Sequence, residues 1–230
     1  METKSSGSVS KSFAVFLKDI KSELRTRYAI NAILLFAIVT VFAVSFAMAR
    51  TGGKMETVLQ ASLLWIVIYF SSLSGLAQSF IKEEESRTAV ALRLYSPAGP
   101  VFGGKLLFNL VLLAVMNLIT IPLFSFFLSL EIANYPLFLS VILLGSLGMV
   151  GTTTLVAAII SKASVKGALF AVLSFPLLLP VLMMAISGTR KALTPDITFS
   201  AARMELQVLA SYLIVMTVLG FLLFDSVWND

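Results

Sequence analysis

Residues 106–130 read LLFNLVLLAVMNLITIPLFSFFLSL, twenty-five consecutive positions without an Asp, Glu, Lys or Arg. Wound as a helix at about 1.5 Å per residue, the run is roughly 37 Å long, enough to cross a hydrocarbon core of roughly 30 Å. Three of its polar residues, Asn109, Asn117 and Thr120, form a stripe. At about 100° per residue they fall within about an 80° arc over roughly 16 Å of axis. A buried amide in lipid must find a partner, so this stripe faces protein or a wet path. Hydrogen bonding between helices and the lining of a path are both compatible with it.

Five further runs have the same character: Tyr28 to Ala49, Thr57 to Phe80, Pro136 to Ile160, Gly167 to Ser187 and Leu206 to Phe224. With 58% hydrophobic and 13% charged residues, against about 45–50% and about 25% in soluble domains, the chain is all-α and polytopic, with six expected transmembrane helices. Its connections are short, so residues 13–230 form one expected membrane domain behind a polar, disordered segment at 1–12. No cleaved secretory peptide is expected, because an amphipathic stretch separates the polar start from the first apolar run.

Six crossings put both termini on one side. That side carries Lys4, Lys11, Lys18, Lys21, Arg25, Arg27, Lys82, Arg87, Arg93, Lys105, Lys162 and Lys166, and the other only Arg50, Lys54, Arg190, Lys191 and Arg203. The excess of basic residues marks the cytoplasmic side. Membrane orientation also accounts for the net charge of +5, so nucleic acid is not an expected partner.

Catalytic chemistry has little to work with. The chain has no His and no Cys, which excludes imidazole and thiolate metal sites, Ser/His or Cys/His nucleophile pairs and His proton relays. Its apolar runs hold no ionisable residue of the kind that pumps and proton-coupled carriers place in their pathways. There is no GxxxxGK[ST] loop for a nucleotide. A non-enzymatic membrane subunit powered by a partner is the expectation.

Two segments outside the apolar runs carry pattern. Phe13, Phe16, Leu17, Ile20, Leu24 and Tyr28 recur at helical spacing over an arc of roughly 120°, with Lys18, Asp19, Lys21 and Arg25 expected to point away from it and Glu23 and Arg27 at or within its edge. This predicts an amphipathic helix on the cytoplasmic membrane face, either a lipid anchor or a brace for a partner's docking surface. Between the second and third runs, Lys82, Glu83, Glu84, Glu85, Ser86 and Arg87 open a loop whose stretch from Glu83 to Tyr95 holds no helix breaker. Pro97 and Gly99, Pro100, Gly103 and Gly104 follow, read as a flexible return to the membrane. The predicted element is a short helix hung below the bilayer, with Leu92, Leu94 and Tyr95 as apolar docking residues and the acidic cluster beside the second span. In the fourth run, Gly145, Gly148 and Thr152 share a face suited to close helix contact, within the chain or between copies. Pro122, Pro176 and Pro180 should bend the third and fifth runs.

Taken together, six spans, an amphipathic helix before the first and an E-E-E-x-R-T loop ending in S-P resemble an ABC-2-type exporter permease. The stretch from Lys18 to Ala32, KDIKSELRTRYAINA, with Gly104 to Asn109 and Leu223, Phe224 and Asp225, is similar to the haem exporter protein B (CcmB) family, from about Phe13 to the end. The resemblance implies the permease half of a cytochrome c maturation transporter in the bacterial inner membrane. It implies a CcmA-like ATPase, a haem-handling CcmC-like membrane protein, a CcmE-like haem chaperone and a homodimer within the complex. It also implies haem as a handled substrate; lacking His, the chain offers only Met or Tyr side chains as axial ligands, so no tightly bound cofactor is expected. Alternatives are an ABC-2 permease for a lipid or glycan, or a non-transporting scaffold.

Overall fold

The computed structural model describes residues 2–51, 55–76, 80, 83, 88–161 and 166–229. In chain order it has α1 (Glu2–Thr26), α2 (Tyr28–Thr51), α3 (Thr57–Leu76), the short α4 (Ala89–Tyr95), α5 (Ala98–Leu128), α6 (Tyr135–Ile160) and α7 (Lys166–Leu193). A 3-10 turn (Phe199–Ala202) then leads into α8 (Arg203–Asn229). No strand occurs among the described residues. Among the described residues, four helical stretches are long and apolar enough to span a membrane: Ala98–Leu128, Tyr135–Ile160, Leu169–Leu193 and Phe199–Trp228. The first two expected spans coincide with shorter apolar helical stretches, Leu34–Ala47 and Thr57–Leu73.

α6 is the axis of the fold and packs on α7 and α8. Every residue from Gly148 to Ala158 is buried, as expected of a helix with neighbours all round. Small residues permit that density. A Cβ on Gly145 would collide with the buried ring of Trp65, and one on Gly148 would stand 3.3 Å from Tyr212 Cδ1. The small-residue face is therefore an intrachain contact with α3 and α8. The start of α6 is capped by Asn134, whose side chain accepts from the Leu137 N–H at 3.1 Å, with Pro136 in the first turn. α5 ends on Ser129 in the left-handed conformation, φ 50°.

Several boundaries differ from expectation. The segment 98–104 is not a flexible return: it forms the first two turns of α5, because Pro97, at φ −66°, occupies the N-cap position and Pro100 sits where an intrahelical N–H is dispensable. α1 begins at Glu2, so residues 2–12, expected to be disordered, continue the amphipathic helix; Ser12 is already packed on α5 at Gly103 and Gly104. α7 likewise runs past Ser187 to Leu193.

Two apolar cores result. The larger joins α2, α3, α5, α6 and α7 around Trp65, Phe124 and Phe138. The smaller lies where α1 and α4 meet the ends of the long helices, and contains Val15, Phe80, Leu92, Phe102, Phe224 and Trp228. Around the outside, large apolar side chains such as Phe46, Leu118, Phe126 and Leu222 point away from the protein, as in a helix bundle solvated by lipid.

A candidate coupling site

The smaller core carries charge that the sequence reading did not foresee. Lys105, directly after the first two turns of α5, is 1% exposed. Its ammonium sits 2.9 Å from Asp19 Oδ2 of α1 and 2.9 Å from Glu83 Oε1, and 5.6 Å from the centre of the Phe80 ring. Lys18 pairs with Glu83 and lies 3.3 Å from Asp19. The Thr88 hydroxyl donates to Glu83 Oε2 at 2.6 Å and the Thr88 N–H to the Glu83 carbonyl at 3.0 Å. Two cations and two anions thus join α1, α5 and the residue that precedes α4.

Burial alone would raise the Glu83 carboxyl, but the Lys105 charge and the bonds from Lys18, Thr88 and Lys105 outweigh it and hold the group at about 2. Burial would lower Lys18, yet the Asp19 charge and Glu83 push it above its ordinary value. Glu83 and Lys18 are therefore both charged throughout the physiological range.

From this anchor α4 hangs by one face. Leu92, expected on the exposed docking surface, is 8% exposed and packs in the smaller core. The Arg93 guanidinium lies 5.3 Å from the Trp228 ring of α8, and Lys11 of α1 donates to the Tyr95 carbonyl at 3.4 Å. Leu94, 87% exposed, and Tyr95, 59% exposed, remain outside. The correction has a simple cause: a seven-residue helix must spend one apolar side chain on its own attachment, and only the structure identifies which. Glu83, also expected to face a partner, points inward to Lys105. Glu84, Glu85 and Arg87 lie outside the described residues.

On α1, Val15, Asp19 and Glu23 are buried towards the protein; Phe16 and Ile20 are half-buried; Phe13, Leu17 and Leu24 are exposed beside Lys21 and Arg25. Two carboxylates on the inward face, one turn apart, were the available sequence signal. Asp19 meets Lys105, and Glu23 Oε1 accepts from the Ile30 N–H at 3.0 Å, capping the start of α2 across the elbow at Arg27, φ 52°.

The polar stripe of α5 is resolved as interhelical bonding for two of its members. Asn109 Nδ2 donates to Thr154 Oγ1 at 2.9 Å and Asn117 Nδ2 to Ser146 Oγ at 2.7 Å, both on α6. Thr120 is fully buried. Near the proline-bearing part of α7, the Tyr212 hydroxyl donates to the Leu177 carbonyl at 2.6 Å and lies 2.9 Å from the Thr152 hydroxyl. At the other end from α4, Lys191 pairs with Glu205 at 2.6 Å. No group of His, Cys, Asp or Glu suited to a metal occurs among the described residues.

A family model described as CcmB protein matches residues 10–226, nearly the whole chain. No curated protein matches it.

Proposed function

The chain belongs to the CcmB family, membrane permeases of haem-exporting ABC transporters, and from that premise we propose that it is the permease subunit of a cytochrome c maturation complex driven by a separate ATPase that docks on α4. The observation that carries the docking assignment is the split character of α4: Leu92 is sunk in the protein while Leu94 and Tyr95 stand out from it. An exposed apolar pair on a helix clamped to the body suits a partner surface that must both bind and push. The absence of a nucleotide loop and of ionisable residues in the apolar runs supports an external source of energy.

In this reading the chain crosses the bacterial inner membrane six times with both termini in the cytoplasm, and works as a homodimer beside CcmC-like and CcmE-like haem-handling proteins. It performs no catalysis itself. Haem is substrate rather than resident cofactor, since no imidazole is present to hold its iron. The exposed Phe13, Leu17 and Leu24 of α1 lie in the cytoplasmic leaflet, with Lys21 and Arg25 among anionic headgroups.

Two experiments test this. Burying one large apolar side chain is worth about 1.5–3 kcal/mol, so Leu94→Asp should weaken capture of the ATPase by roughly ten- to hundredfold while the chain still inserts. Co-purification at the wild-type level would remove the docking assignment. For topology, the cysteine-free chain accepts single labels: Ser200→Cys should react with an impermeant maleimide outside the cell and Ser10→Cys should not. The reverse pattern would refute the orientation.

A further inference from the structure

Buried ion pairs are poor stabilisers relative to apolar packing of the same shape, and their best-attested use is to fix geometry. The Asp19, Lys105 and Glu83 cluster fixes a particular geometry. Glu83 is tied to Thr88, the residue before α4, by two bonds to its backbone carbonyl and carboxylate, and through Lys105 it is tied to Asp19 in the middle of α1. One turn further along α1, Glu23 is bonded to the first turn of α2. The polar links therefore run without a gap from the base of the proposed docking helix to the start of the first apolar helix. Resting on the docking assignment for α4, we infer that Lys105 is a positioning residue whose ion pairs make α1 and α4 one rigid lever, so that a push on Leu94 and Tyr95 is delivered through α1 to α2.

A lever predicts correlated movement, which a purely structural cluster does not. α4 has seven residues, and apart from the ionic link it is held by Leu92 in the smaller core, by Arg93 against the Trp228 ring and by the exposed Lys11 bond to the Tyr95 carbonyl, so the buried ions are its firmest tie to α1. With the link, it cannot turn without carrying Asp19 and Lys18, both on α1. Helix shifts of about 1–2 Å at such junctions are the usual currency of conformational coupling.

Because the chain lacks cysteine, spin labels report this directly. Ser10→Cys marks α1, Ala91→Cys marks α4 and Leu139→Cys marks the far end of α6; all three positions are exposed. Pairwise distances are measured in the full-length chain bound to its ATPase, before and after trapping with vanadate. The lever requires the distance between positions 10 and 91 to stay constant while both shift relative to 139 by about 2 Å. In the neutral triple variant Asp19→Asn, Glu83→Gln and Lys105→Met, which leaves none of these three groups charged, position 91 should still shift and position 10 should no longer follow it. Movement of 91 without 10 in the otherwise wild-type chain, or undiminished joint movement in the triple variant, would overturn the lever and leave the docking assignment standing. Failure of the wild-type chain to capture the ATPase would overturn the docking assignment itself. Should the triple variant not accumulate, the wild-type distances decide alone.

Discussion

Lys105→Met should strip the chain of most of its stability, and the neutral triple variant Asp19→Asn, Glu83→Gln and Lys105→Met should recover much of it. In the single variant two carboxylates that are nearly buried lose their shared cation, and breaking a buried pair on one side costs about 3–5 kcal/mol. A total stability of about 5–15 kcal/mol leaves little after such a loss. Lys18 still approaches both acids, but its side chain is 45% exposed and replaces only part of what Lys105 supplies. The pH response separates this from a simple packing defect. In the wild-type protein Glu83 is held at about 2, below its ordinary 4.5, so its contribution is complete above about pH 4.5 and is lost only as pH falls towards 2. Thermal unfolding of the purified wild-type protein should therefore show no pH dependence from Glu83 between pH 5 and 8. Without Lys105 only the bonds from Lys18 and Thr88 oppose burial, so the Glu83 carboxyl moves upward, and a group whose folded-state value is raised stabilises at low pH and loses that effect as pH rises. The Lys105→Met protein should accordingly unfold at a higher temperature at pH 5 than at pH 8. A wild-type melting temperature for Lys105→Met at pH 8 would show that the cluster carries no such energy.

Hydropathy alone located the apolar helices, because a run such as 106–130 has one stable state in lipid whatever its neighbours are. The contact made by Gly145 and Gly148 was legible for a related reason: small side chains on one face of an apolar helix have few other uses. The junction was not legible. Reading α1 as amphipathic assumes one apolar and one polar face, whereas this helix also buries carboxylates against the protein. Asp19 and Glu23 face inward because Lys105 and the Ile30 N–H satisfy them there, a fact held in residues far along the chain. In the sequence Lys105 is one more basic residue of a connection between apolar runs; only the extension of α5 back to Ala98 carries it inside. Leu92 and Leu94 are two residues apart on a short helix, hence roughly opposite, and sequence supplies no rule for which of them the body claims.

Gly104→Leu should disable the protein while Gly99→Ala leaves it intact, although both replace a glycine in the opening turns of α5. A Cβ at Gly99 meets nothing within 4 Å, and alanine is the better helix former, so this change should be neutral or slightly stabilising. At Gly104 a Cβ would stand 2.7 Å from the Ser12 carbonyl oxygen and 2.7 Å from Val15 Cβ. One of these is backbone and the other is fixed to it, so relief requires α1 itself to move rather than a side chain to rotate. Overpacking of this kind costs about 1–3 kcal/mol, and a leucine lies at the upper end. The displacement acts where it is least tolerable: Lys105 is the next residue of α5, and Asp19 lies one turn beyond Val15 on α1, so the two 2.9 Å contacts of the ammonium cannot both survive. Leucine at 104 should therefore lower the melting temperature of the purified protein and, under the proposed function, cut c-type cytochrome production at least tenfold even in cells where the chain still accumulates. Gly99→Ala should match wild type in both assays. Full cytochrome production with Gly104→Leu would mean that the close seating of α1 on α5 is not required for the protein to work.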